Sequence, residues 1–267
     1  MKNKISKSMI STKKSCKESF TKKKGFTLVE VLITLGIIGV VAAMTIPTLI
    51  ANTQSQKFRS QFKKTISTLN QAVKMNIAQQ EWDFSSVKGG SGEGMTLFTL
   101  FKNNLSVFSE GPVPYTEESK NSWNEDSDIN INEVYFYSSP TLESLEFYTG
   151  DLSSYILSDG SMISINNQQS FDLGDLSCTV PIDKSLFQAI EDSPSRLLGW
   201  DCVGYIDVNG KALPNKEVQC SNTTTAVSND ICIVDNKTMG DIFPIIMHDG
   251  IVEPLTNAGR YVLNTTK

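Results

Sequence analysis

The chain has 267 residues, 39% of them apolar, and a net charge of −5. That length holds one or two domains, and that apolar share excludes a protein built mostly of membrane spans. Nine lysines against one glutamate give residues 1–25 a net +8 and leave −13 for residues 26–267, an acidic balance that speaks against nucleic-acid binding.

The first predicted element follows the basic leader. Lys22-Lys23-Lys24-Gly25 precede a run in which no charged residue occurs from Val31 to Gln56. Most of Val31 to Ile50 is Val, Ile, Leu, Ala, Met or Gly. About 20 such residues suffice for a helix to cross a bilayer. Lysines before the run place that side in the cytoplasm. A secretory signal has its small cleavage residue after the apolar stretch. Here Gly25 stands before it, so a cut after Gly25 removes the lysines and leaves the apolar run as the new N-terminus, starting at Phe26.

The order Lys-Lys-Lys-Gly25, Phe26-Thr27-Leu28-Val29-Glu30, then an apolar run with Gly36, Gly39 and Pro47, resembles the type IV prepilin family, which includes the type II secretion pseudopilins. The resemblance covers Lys22 to Ile50. It implies cleavage between Gly25 and Phe26 by a prepilin peptidase, N-methylation of Phe26, and assembly with other pilin or pseudopilin subunits on an inner-membrane platform. It also implies a place for Glu30, paired with the N-terminal ammonium of a neighbouring subunit. The simpler reading is that a carboxylate in a first helical turn is favoured by the helix dipole, by about 0.3–1 kcal/mol. In an apolar fibre core that is not enough, because a lone buried carboxylate costs several kcal/mol.

Beyond the span, Phe58, Phe62, Ile66, Leu69, Val73 and Ile77 recur at spacings of 4, 4, 3, 4 and 4, the stripe of an amphipathic helix. One helix is therefore predicted from Phe26 to about Gln80, with a kink at Pro47. The expected organisation is a leader (1–25), a transmembrane helix (26–50), its amphipathic continuation (51–82) and a globular head (83–267). The cations Lys57, Arg59, Lys63 and Lys64 read as a solvated face near lipid headgroups. Gly89-Gly90-Ser91-Gly92-Glu93-Gly94 marks a loop, lacking the Gly-Lys-Ser/Thr ending of a phosphate-binding loop. Residues 95–108 are read as a short helix and 109–132 as an exposed acidic loop. Strand signals follow: the aromatic-rich stretches from Val134 and from Leu145, a hairpin about Asp159-Gly160, a strand turning at Asn209-Gly210, and a hairpin about Asp249-Gly250. The fold class is α+β, a long N-terminal helix packed on a mostly antiparallel sheet, which is the shape the resemblance implies.

Of the five cysteines, Cys16 lies in the leader and Cys178, Cys202, Cys220 and Cys232 in the head. An even number beyond the membrane fits two disulfides, and of the three connectivities the pairing Cys178–Cys202 with Cys220–Cys232 is taken as the expectation. Four reduced thiols are the alternative. Zinc-type spacing is absent. Asp207, Asn209, Asn215 and, farther on, Asp241 offer oxygen ligands for calcium, as in pseudopilins, although Glu217 to Thr238 is inserted between them. The competing reading is an Asx turn stabilising a hairpin. Beyond that calcium no cofactor is expected. His248 is the only histidine, and no Gly-x-Ser-x-Gly motif occurs, so the chain is read as a non-enzyme. The expected function is a filament subunit of the bacterial inner membrane, single-pass with its head outside the cytoplasm, then part of a fibre in the periplasm or at the surface. The alternative is a signal-anchored envelope enzyme or binding module.

Overall fold

The computed structural model describes residues 25–81, 83–84, 101, 104–117, 119, 134–144, 152–166, 178–192, 202–223 and 231–265. Residues 1–24 with Cys16, the glycine-rich loop 89–94 and the aromatic stretch from Leu145 lie outside them. The chain divides into two compact units, Met1–Pro47 and Thr48–Lys267.

Helix α1 runs from Leu28 to Gln80, with Pro47 inside it. In the second unit its buried apolar positions are Phe58, Phe62, Ile66, Leu69, Ala72 and Val73, and Ser55, Arg59, Thr65 and Asn76 are buried with them. This is the 3.6-residue stripe, and it faces a sheet. Ile77 is half-exposed and lies against Gly250.

The sheet has six strands in the order β1-β4-β5-β6-β7-β8: β1 (Val107–Glu110), β4 (Leu152–Leu157), β5 (Met162–Asn166), β6 (Val203–Asp207), β7 (Ile242–His248) and β8 (Ile251–Pro254). Every neighbouring pair is antiparallel. Side chains alternate by two along each strand. Ile163, Ile165, Ile206, Phe243, Ile245 and Met247 join the core under α1, while Met162, Val203, Tyr205, Ile242 and Ile246 face the other way. Phe62 stacks on Phe243 with ring centroids 3.9 Å apart, a contact worth about 0.5–1.5 kcal/mol beyond the area it buries. Asn70 pairs its amide with both backbone groups of Val252, at 2.8 and 2.9 Å.

The second face is covered as well. A parallel two-stranded ribbon, β2 (Val113–Thr116) with β3 (Val134–Tyr137), and the short helices α2 (Pro140–Ser144) and α3 (Leu186–Asp192) supply Tyr135, Tyr137, Leu142, Leu186, Ala189 and Ile190 to a second core. This explains why β6 and β7 are buried along their whole length. A last helix, α4 (Asn257–Asn264), is capped by Thr256, whose side chain accepts the Gly259 N–H, and it buries Ala258 and Val262.

Two expectations are corrected. Val107 and Phe108 do not end a helix over 95–108; they open an edge strand in which Val107, Ser109 and Glu110 pair with β4 and Phe108 lies at a register shift. Part of 109–132 is not loop, since Val113–Thr116 is a strand pairing with β3. Cys178–Cys202 and Cys220–Cys232 form disulfides.

Candidate functional site

The segment that begins at Gly25 is built for an apolar solvent. Phe26 is 88% exposed, and the large apolar side chains from Leu28 to Ile50 are exposed throughout. Helix α1 is long and apolar enough to cross a membrane. Its hydroxyls are satisfied within the helix: Thr34 donates to the Glu30 carbonyl (2.9 Å), Thr45 to that of Val41 (3.0 Å) and Thr53 to that of Leu49 (2.8 Å). Lipid demands this, because it offers no hydrogen bonds.

Glu30 has local partners. Its Oε2 accepts the Thr27 N–H and the Thr27 hydroxyl, both at 2.8 Å, and the Thr27 Oγ1 accepts the Glu30 N–H at 3.2 Å. This is a capping box, two orphan backbone donors satisfied reciprocally at the start of a helix. Thr27 is the residue that sequence reasoning passed over. The signal was present: threonine followed three residues later by glutamate, ahead of an apolar run.

In the head, the four oxygen-bearing residues come together. Asp207 ends β6 opposite Ile242 of β7, and the Val208 N–H donates to the Asp241 carbonyl at 3.0 Å. The inserted stretch closes on itself through the Cys220–Cys232 disulfide and a Gln219 N–H bond to the Thr238 carbonyl (2.9 Å), so Asn215 stays next to Asp241. Gly240 allows this: a Cβ there would sit 2.0 Å from the Lys216 carbonyl oxygen. The Asp241 carboxylate accepts the N–H groups of Asn215 (2.9 Å) and Lys216 (2.7 Å). That of Asp207 accepts the Asn209 N–H (3.0 Å) and the Tyr135 hydroxyl. Both carboxylates are fully buried. Burial, then the neighbouring charge of Asp241, pushes the Asp207 carboxyl well above the usual range, and burial raises Asp241 too. The Oδ1 atoms of Asn209 and Asn215 are buried with no hydrogen-bond partner.

These donors fit a hard cation: two carboxylates and two unpaired amide oxygens are the ligand chemistry of calcium. Asp207 also makes an Asx turn, accepting the N–H two residues on, whereas Asp241 accepts backbone N–H groups from the distant Asn215 and Lys216. Among the described residues, no three His, Cys, Asp or Glu side chains gather as metal ligands.

His248 ends β7 between two carboxylates, with Nδ1 2.9 Å from Asp249 and Nε2 2.9 Å from Glu253. Asp249 also accepts the Val180 N–H, so the histidine ties the β7–β8 hairpin to the segment after Cys178. Among the described residues, the imidazole's hydrogen-bond partners are these two carboxylates.

Residues 20–46 match the sequence model of the prokaryotic N-terminal methylation motif. The chain carries a prepilin-type cleavage and methylation signal. Comparison with curated proteins and with solved structures gave no match. The prepilin signal takes in Gly25, Phe26, Thr27, Glu30, Gly36 and Gly39 and stops one residue short of Pro47. With the apolar helix, it points to membrane anchoring and to a pilin-like precursor.

Proposed function

We propose that the protein is a pilin-like or pseudopilin subunit, cut after Gly25 by a prepilin peptidase, methylated at Phe26 and assembled into a type IV pilus or a type II secretion filament, as a minor subunit. The observation that carries this is the match of residues 20–46 to the methylation motif at the start of a helix whose large apolar side chains from Leu28 to Ile50 are exposed. The helix holds the precursor in the inner membrane, with the head outside the cytoplasm. Packing of these helices then gives the fibre its cohesion, and no catalytic role is assigned to the head. In the fibre Glu30 pairs with the Phe26 ammonium of a neighbour, which fixes the axial register. The capping box is compatible with this, because Oε1 of Glu30 takes no part in it. Pro47, inside the helix, gives it a point at which to kink on assembly. Glu30→Val tests the register: the variant is expected to insert and be cut, and to be lost from fibres. Entry into fibres at the wild-type level contradicts the role.

We also propose that Asp207, Asp241, Asn209 and Asn215 hold a calcium ion, a reading supported by the two unpaired Oδ1 atoms beside two buried carboxylates. The ion would neutralise charges that otherwise repel across a dry site. A ligand that binds only the folded state at 100 times its Kd stabilises by about 2.7 kcal/mol. Melting of the full chain in detergent should therefore rise with calcium and fall with EDTA, and Asp207→Asn should remove the difference. Melting curves that coincide with calcium and with EDTA leave the four residues as a turn.

A further inference from the structure

Within the second unit, the same end of the sheet that carries the acidic pair also carries an exposed apolar tip. The β4–β5 turn at Asp159-Gly160 is held to α1 by an ion pair of Lys64 with Asp159 at 3.0 Å. Gly210, at φ +64°, sits so close to it that a Cβ would lie 2.6 Å from the Gly160 carbonyl oxygen. The loop that follows is pinned at both ends, by Asp207 holding Asn209 and by Asp241 holding Asn215 and Lys216, and across its middle by the Asn209 amide on the Leu213 carbonyl (3.2 Å). Leu213, at its tip, is 79% exposed.

This tip does not stand alone. Ala212 and Leu213 share a cleft of about 650 Å³ with Leu49, Ile50, Thr53 and Phe58 of α1. Leu49 and Ile50 are 65% and 58% exposed and are the last large apolar residues of the charge-free run. The apolar surface at Leu49 and Ile50 therefore continues across the cleft onto the loop. Lys57 lines the same cleft, a cation suited to anionic headgroups, and the Asp159 carboxylate that also lines it is paired with Lys64. The other end of the sheet differs: Gly250 there meets Ile77, and the Cys178 carbonyl accepts the Asp249 N–H. From Ile50 to Ile77 a helix rises about 40 Å.

We propose that the 211–214 loop is a second membrane contact, with Leu213 seated in the headgroup–acyl boundary beside Leu49 and Ile50 and the cleft filled by lipid. The proposal rests on α1 being the membrane anchor. The contact would hold the head at a fixed height above the bilayer until the subunit is extracted. It would also give the acidic pair a second task, as the brace that presents an apolar tip.

The test is photo-crosslinking of the full chain in nanodiscs containing anionic lipid, with benzoylphenylalanine in place of Ile38, Leu213 or Ile182. Ile182 is an exposed isoleucine in the segment after Cys178, at the far end of the sheet. Leu213 and Ile182 are both solvent-facing, so the probe displaces no core. Lipid adducts are expected at 38 and 213 and should be lost at 182. Adducts at 38 without adducts at 213 overturn the contact alone. Absence at both overturns the anchor and the contact with it. A crosslink from 213 to a second copy of the chain, in place of lipid, assigns the tip to subunit packing and also overturns the proposal.

Discussion

Helix α1 is one element with two unlike halves. From Leu28 to Pro47 its apolar residues go all the way round and are exposed; from Phe58 to Val73 they are confined to a stripe and buried against the sheet. The polar groups differ in the same way. In the first half threonine hydroxyls bond back to the helix carbonyls. In the second, Ser60 and Thr68 do the same, but other polar side chains also reach across: Arg59 to the Val234 carbonyl (3.0 Å) and the Thr265 hydroxyl (3.1 Å), Lys63 to the Thr265 carbonyl (2.6 Å), Asn70 to Val252. What separates the halves is the surroundings each is written for, an apolar solvent in one case and a sheet in the other.

That contrast can be broken most sharply by truncation. Phe62→Ala should cost the head about 3–5 kcal/mol, since the ring is fully buried and stacked on Phe243. Ile38→Ala, in the exposed half, should leave the melting of the head within about 0.5 kcal/mol of wild type. Thermal melting of both variants in one detergent is the measurement. Equal losses would mean that the two halves share one core.

A smaller effect sharpens the description of the head. Burial pulls the His248 imidazolium down, but hydrogen bonds and charge from Glu253 and Asp249 more than offset this, so its pKa is raised. Burial raises the Glu253 carboxyl, but the His248 hydrogen bond and then the charge of Arg260 bring it below its usual value. A raised histidine stabilises fully below its unfolded pKa of about 6.5 and loses that contribution as pH rises through the folded value. The head should therefore melt at a lower temperature above that value than at pH 6, and His248→Gln should flatten the difference. The first half of α1 holds no histidine, so its anchoring should show no such step. An unchanged slope in the variant would remove His248 from the account.

What the sequence made legible follows from signal strength. The anchor, the stripe and the hairpins at Asp159-Gly160 and Asp249-Gly250 each rest on a pattern with one physical reading. β1 was hidden because Val-Phe-Ser-Glu is short and mostly exposed, and β2 because Pro114 argues against a strand, though an edge ribbon tolerates it. Helix α4 was hidden by Gly259 in a short segment that follows a strand. The second core could not be foreseen, because alternation tells which residues share a face and not what covers that face. In the site, Gly25, Phe26 and Glu30 were singled out by the resemblance of their motif to the prepilin family, whereas Asp207 and Asp241 meet only because β6 pairs with β7 and the insertion between them closes on itself.

The central claim is that the apolar half of α1 is a mobile subunit's packing surface and not a fixed tether, and that claim begins with cleavage. Mass spectrometry of the N-terminal peptide, from protein taken out of its native membranes, tests it most directly. The account predicts a chain that starts at N-methylated Phe26. A chain that keeps Lys22 to Gly25 in cells with active prepilin peptidase would contradict it and make α1 a static anchor.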